Sequence, residues 1–393
     1  MNESTYFSGR VSADPHRNRL AILAARLASE GRAILNLSES NPTRCGLFPE
    51  GVLAALSNAA SLEYHPDPRG LPGARQALAL RLDCEPDDLF LAASTSEAYG
   101  WLFKLLCDPG DAVLVPKPGY PLFDYLAGLE GVRAIPYRLE YKHADGWFID
   151  LDGLEQAAAA TGARALVVIN PNNPTGSFIR PAERARLVDF CSRNGMALIS
   201  DEVFLPYALE ADGSQESLGG QDGCLTFILD GLSKLMCLPQ LKLGWIRVGG
   251  PPALRGQAMA RLEVIADTYL SAGAPAMNAL PLLLPGADAF VARTRRRLLL
   301  NLGVLKERFG GDDSPFRVLR CDGGWIALLE CPRIETDEDL ALGLLEAEGV
   351  AVHPGYFFDF EREGCLALSL LLEPPRFAEG VDRLGRFLDR IIE

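Results

Sequence analysis

The sequence predicts an α/β fold: a large domain with a roughly seven-stranded, mostly parallel sheet flanked by helices, and a smaller α+β domain assembled from both chain ends. Three observations predict it. Between residues 88 and 248, short apolar runs alternate with longer helical patterns. Most of those runs are rich in Val, Ile and Leu without a polar-alternating face, as strands covered by helices on both sides are. Beyond Pro285 the alternation gives way to a long Arg-rich helical pattern and then to strand-like and helical runs of a different order.

The predicted sheet strands lie at 88–93, 112–116, 133–137, 165–170, 196–200, 225–230 and 243–248. The smaller unit reads as a helix at 288–309, strand-like runs at 316–320 and 325–330, a helix at 337–348, a strand at 365–371 and a closing helix. An amphipathic run at 18–29 precedes the sheet and can pack on that unit. The expected division is therefore 1–45 as an N-terminal segment packing with the small domain, 46–285 as the large domain and 286–393 as the small domain.

Composition sets outer bounds. With 393 residues, 48% hydrophobic and 23% charged, the chain belongs among soluble globular proteins and is long enough for two domains of roughly 100–200 residues. Thirty-eight basic against fifty-two acidic side chains leave a formal charge of −14, which opposes attraction to nucleic acid and to anionic membrane surfaces. No apolar stretch reaches the roughly 20 residues of a spanning helix, and the N-terminus lacks the charged-then-apolar order of an export signal, so a cytoplasmic location is expected. Nine cysteines without C-x-x-C spacing, and the dispersed His16, His65, His143 and His353, suggest neither a disulfide framework nor a metal centre.

Open α/β sheets bind ligands at the carboxyl ends of their strands, so chemistry is sought there. The run at 88–93 is followed by Ser94, Thr95 and Ser96 and then by a helical pattern; helix N-terminal N–H groups and small hydroxyls make such a junction a phosphate cradle. The bland alternative is a capping box between Ser94 and Glu97. The run at 165–170 enters Asn-Pro-Asn-Asn-Pro-Thr-Gly, a tight turn that fixes the Asn173 amide at a strand end, although a purely structural turn would look similar. Asp201 closes an apolar strand, where a buried carboxylate requires a partner such as a protonated ring nitrogen; an isolated acid there is more often simply solvated. Lys234 follows a fourth strand, where a semi-apolar cleft can free its amine to react with an aldehyde, although a lone Lys is nearly always a surface residue. A phosphate cradle, an amide, a carboxylate and an amine at four strand ends, in that order, are what pyridoxal 5'-phosphate (PLP) requires.

In these motifs the chain resembles the fold-type I PLP enzymes, specifically the class I/II aminotransferases. The resemblance rests on Tyr64, Gly70, Ser94-Thr95-Ser96, Pro118-Gly119-Tyr120-Pro121, NPNNPTG at 170–176, SDEV at 200–203, LSK at 232–234 and LGW at 243–245, and spans nearly the whole length. It implies that Lys234 anchors the cofactor and shuttles the proton, that Asp201 pairs the pyridine nitrogen, that Asn173 donates to the ring hydroxyl oxygen and that Tyr120 stacks on the ring. It further implies that Ser94, Thr95 and Ser96 hold the phosphate, that Tyr64 reaches the phosphate of the neighbouring subunit, and hence a homodimer. The implied activity moves an amino group between an amino acid or amine and a keto acid by a ping-pong mechanism.

The sequence also departs from that pattern. Phe204 stands where the family usually has a Tyr that bonds the ring oxygen, and Lys242 where it has a phosphate-binding Arg; Gly231 replaces a frequent Ser. In the C-terminal strand, Ala367 stands in place of the Arg that clamps the substrate carboxylate. Either another cation takes over, with Arg44 and Arg376 as candidates and Gly46 as a third substrate-side position, or the substrate lacks that carboxylate. Phe204 and Ala367 favour the alternative activity, a fold-type I PLP lyase or decarboxylase. A catalytically silent scaffold is the remaining reading, against which the presence of Lys234 and Asp201 argues.

Overall fold

Every strand of the main sheet that carries a predicted site residue ends on the same edge. The computed structural model describes residues 6–11, 18–210, 215–270, 272–311 and 314–392; His16 and residues 1–5 and 12–17 of the predicted N-terminal segment lie outside them. After β1 (Leu35–Asn36), the main sheet is built from β2 (Leu89–Ala92), β3 (Ala112–Lys117), β4 (Arg133–Lys142), β5 (Gly146–Ile149), β6 (Ala165–Ile169), β7 (Ala197–Asp201), β8 (Thr226–Gly231) and β9 (Gly244–Gly249). A second sheet contains β10 (Arg317–Val318), β11 (Ile326–Glu330), β13 (His353–Pro354) and β14 (Cys365–Ser369), while β12 (Val350–Ala351) returns to pair in parallel with β1.

The main sheet has eight strands in the order β2-β9-β8-β7-β6-β3-β4-β5. The large, mostly parallel sheet is as expected, and β5, which folds back antiparallel on β4, adds an eighth strand to the seven located in the sequence. Strands β8, β7, β6, β3 and β4 pair in parallel, and β9 runs antiparallel to both β8 and β2. Because β2 and β8 both oppose β9, their carboxyl ends point the same way as those of β7, β6 and β3.

Two cores explain the unbroken apolar runs. Along β6, Ala165, Val167 and Ile169 enter one cluster with Phe90, Val113 and Ile199, while Leu166 and Val168 enter another with Leu114 and Leu198. The period of two is present, but both faces are dry, so no polar alternation shows. Gly70 has φ +90°, and a Cβ there would lie 2.6 Å from the Leu91 side chain, so the approach of this segment to β2 admits only glycine.

The second sheet is antiparallel and sorts its side chains in the same way: Leu366 and Leu368 of β14 face the largest core, and Cys365 and Ala367 face a smaller one with Trp147 and Phe358. Both chain ends contribute to this region. The helix Arg19–Ser29 is tied to the helix Asp337–Glu348 by ion pairs from Arg19 to Glu338 (2.9 Å) and from Arg26 to Glu346 (2.8 Å). These exposed pairs orient more than they stabilise. Among the described residues, no helix is long and apolar enough to cross a membrane.

Candidate active site

The strand order sets five site residues side by side. Lys234 lies in the helical turn Leu232–Leu235 that follows β8, Asp201 ends β7, Asn173 follows β6, Tyr120 follows β3, and Thr95 opens the helix Thr95–Leu106 after β2. Asn173 and Tyr120 flank the point between β6 and β3 where the chain reverses its direction of sheet growth, the position at which such sheets open a crevice. All five line one cavity of about 100 Å³, which shares Tyr120, Asn173, Phe204 and Lys234 with an outer chamber of about 600 Å³.

Asp201 is 8% exposed, and its carboxylate is held by two neutral donors: the Tyr99 hydroxyl donates to Oδ2 at 3.1 Å and the Val203 N–H to Oδ1 at 3.2 Å. Burial pushes its pKa up to about 6, against those two bonds and the nearby Lys234. The Lys234 amine lies 4.9 Å from the Trp325 ring centre and 5.4 Å from that of Phe204. Burial pulls its pKa below the ordinary lysine value, opposed by Cys237 and Asp201. An ammonium against two ring faces is favoured, but the apolar walls still ease loss of its proton.

The backbone around Lys234 is fixed from below. The buried Tyr207 hydroxyl donates to the carbonyls of Lys234 (2.9 Å) and Leu235 (3.2 Å), and its ring meets Trp325 edge-on at 5.3 Å. The Tyr120 loop is tied down where the Gly119 N–H donates to the Phe358 carbonyl at 3.1 Å.

Ser94 takes the capping geometry: its Oγ accepts from the Glu97 N–H at 3.1 Å, and Glu97 Oε2 accepts from the Ala93 N–H at 2.7 Å. That does not exhaust the junction, because Thr95 faces the cavity and the backbone nearby is left bare. A Cβ on Gly244 would lie 3.1 Å from both Ser94 C and Thr95 N, and one on Gly231 would lie 3.0 Å from the Leu243 carbonyl.

Other predicted positions lie apart from this cavity. Tyr64 is 75% exposed and lines neither chamber. Lys242 is exposed, in a left-handed backbone conformation (φ 52°), and does not line the cavity. The three substrate-side candidates are not brought to either chamber: Arg44 is exposed and sits 3.6 Å from Glu39, Arg376 is exposed, and Gly46 caps a 3-10 turn with φ 67°. The two arginines were the nearest candidate cations in sequence, and the fold directs both to the surface.

Sequence reasoning missed Tyr99, Tyr207, Trp325 and His353. Tyr99 lies at helical spacing and reads as core; the others reach the site only through tertiary packing, with no local signal.

The residues present fit PLP. Asp201 is a buried carboxylate with no ion-pair partner among the described residues, Asn173 Oδ1 is buried with no hydrogen-bond partner, and Thr95, first residue of its helix, brings the helix N-terminus to the cavity. A ring N–H, a polar ring substituent and a phosphate are the complements of those three features. Bound there, PLP supplies an aldehyde that takes up the donor's nitrogen and a ring that withdraws electrons from the carbon losing its proton.

An α/β sheet carrying such a crevice, with a lysine and an aspartate at neighbouring strand ends, defines a fold-type I PLP enzyme. Comparison with known proteins narrows that class. Residues 32–384 match the family described as aminotransferase class I and II. The alanine aminotransferase of Mycobacterium tuberculosis is 30% identical over 389 residues, covering 93% of this chain and 88% of that relative. The glutamate-pyruvate aminotransferase AlaA of Haemophilus influenzae is 26% identical over 382 residues, covering 93% of both. Among solved structures, an alanine aminotransferase from Pyrococcus furiosus superposes with a TM-score of 0.88 at 23% identity, over 98% of this chain and 100% of the other, a likeness of fold. The chain belongs to the class I and II aminotransferase family and is a PLP-dependent aminotransferase.

Proposed function

We propose that this enzyme transfers an amino group from an amino donor to a keto acceptor in two half-reactions sharing one site, with ping-pong kinetics, and that it works as a homodimer in the cytoplasm. The observation that carries the reading is the pairing of Lys234 and Asp201 in one small cavity: an amine whose proton is loosened by burial, near a buried carboxylate that has no ion-pair partner within hydrogen-bonding distance among the described residues.

In this reading Lys234 anchors the cofactor and, once displaced by the donor, takes the proton from the donor carbon. Asp201 keeps the ring nitrogen protonated, Asn173 holds the ring oxygen and Tyr120 covers the ring face. Ser94, Thr95, Ser96 and Lys242 receive the phosphate, with Tyr64 reaching across from the second subunit. The exposure of Tyr64 supports the dimer, since a 75% exposed tyrosine, close in sequence to the exposed Leu53 and Leu62, suits a covered interface. The relatives named for alanine and for glutamate and pyruvate favour transamination over the lyase or decarboxylase alternative. A single half-reaction decides between them: the donor should leave as a carbonyl compound with one equivalent of the amine form of the cofactor per site, whereas ammonia or carbon dioxide would reject transamination.

A further inference from the structure

The Lys234 amine has two aromatic neighbours, and the chain holds both in place. Its Nζ lies over the Trp325 ring, 4.9 Å from the ring centre, and 5.4 Å from the centre of Phe204. Phe204 and Tyr207 meet the indole edge-on, at 68° and 69°, with ring centres 5.2 and 5.3 Å away. Phe204, Tyr207 and Trp325 are 6%, 0% and 3% exposed, so one chain builds this cluster by itself.

The backbone fixes the lysine and the indole to each other. Tyr207 grips both sides: its hydroxyl donates to the Lys234 carbonyl at 2.9 Å, and its own carbonyl accepts from the Gly324 N–H at 3.0 Å. Beyond the indole, the Trp325 carbonyl accepts from the Leu370 N–H at 2.8 Å. The approach of amine to ring is thus set by the scaffold, while the lysine chain keeps its rotamers.

An amine that accepts a proton between apolar walls gains a charge that burial opposes. The Asp201 oxygens are already bonded to Tyr99 and to the Val203 N–H, so they do not answer that charge directly. A ring face does so through its quadrupole, and indole does it best. It accepts no proton, and it leaves the nitrogen free to move between one carbon and the next.

On the transamination reading, which this deepens, we infer that Trp325 is a positioning residue for the proton transfer: its ring face seats the ammonium that Lys234 becomes on taking the donor proton. The donor C–H bond breaks and an N–H bond forms on Lys234, which then gives that proton to the cofactor. The indole forms and breaks no bond.

The test replaces tryptophan throughout by 5-fluorotryptophan or 5,7-difluorotryptophan, which weakens the negative potential of the ring face with little change of shape. The other tryptophans, Trp101, Trp147 and Trp245, line neither chamber. In cofactor-free protein, the pH dependence of Lys234 acylation by acetic anhydride, read by mass spectrometry, gives the ionisation constant of the amine. Asp201, Cys237, Tyr120 and Tyr207 are the titratable groups around it, and fluorination alters none of them. In PLP-loaded protein, single-turnover conversion of L-alanine and of its α-deuterated form gives the rate of proton transfer.

Each fluorine should raise the dissociation constant of the amine roughly twofold and slow the deuterium-sensitive conversion by a similar or smaller factor. Trp325→Phe, or Trp325→Tyr should the first fail to fold, should show neither response to labelling. A constant that ignores fluorination, a rate that does not follow the constant, or a response that persists in the variant overturns the inference and leaves transamination intact. No conversion of L-alanine or L-glutamate, when borohydride still traps the cofactor on Lys234, rejects the transamination reading and this inference with it.

Discussion

The Tyr99 hydroxyl donates to Asp201 Oδ2 at 3.1 Å, joining the helix that follows the phosphate junction to the carboxyl end of β7. Both residues are buried, Tyr99 at 1% exposure, so the bond fixes the carboxylate where water does not compete. Tyr99→Phe keeps the ring packing and removes the donor. Asp201 should then lose an interaction with its charged form of about 1.5–3 kcal/mol, its pKa should rise further, and cofactor affinity should fall. Titration of cofactor-free protein with PLP, read by fluorescence, tests this; an unchanged affinity across pH 6–8 would show that Tyr99 has no positioning role.

Cofactor-free protein should be more stable in mild acid than in mild base. Burial pushes Asp201 and Asp337 up to about 6 and Glu202 to about 7. The folded chain keeps these protons to higher pH than the unfolded chain. The resulting stability is full below the ordinary carboxylate range and is lost as pH rises through about 6 and then about 7. His353, held neutral, pulls the other way with one group. Urea midpoints between pH 5 and pH 8 should fall with pH, and Glu202→Gln should flatten the slope; midpoints that rise with pH in both proteins would contradict the assignment.

Phe204 meets Trp325 edge-on at 5.2 Å and leaves its para position without a hydroxyl beside the cofactor site. Phe204→Tyr should lower the pKa of the linkage between Lys234 and PLP by adding a donor to the deprotonated form. A spectrophotometric pH titration of the two holoenzymes measures it. An equal or higher pKa in the variant would reject the idea.

In the proposed phosphate role, Lys242 would offer one flexible charge where an arginine would offer a two-pronged fork, although its side chain is exposed and outside the cavity lining. Lys242→Arg should slow cofactor loss during dialysis by roughly three- to tenfold, as one improved charge-assisted bond implies. Identical loss rates would place Lys242 outside the phosphate site.

Much of this arrangement was legible because local chemistry and strand ends coincide. Asp201, Asn173 and Lys234 each follow an apolar run whose both faces are buried, so the run itself located the crevice. Strand β5 was not legible: Gly146–Ile149 is short, follows a turn directly and gains its identity only by pairing with β4. The two-residue pair of β1 and β12 likewise exists because distant chain ends meet, which no local pattern encodes. The walls of the outer chamber come from residues as distant as Ser38, Tyr120, Phe204, Trp325 and Ala367, so the chamber appears only once those parts are assembled. For the same reason the sequence could not tell that Arg44 and Arg376 are exposed and line neither chamber.

The account stands or falls on the nucleophile. Borohydride reduction of PLP-loaded protein, followed by proteolysis and mass spectrometry, should place one pyridoxyl group per chain on the peptide containing Lys234 and none in Lys234→Ala. Label on a different lysine, or undiminished label in Lys234→Ala, would contradict it.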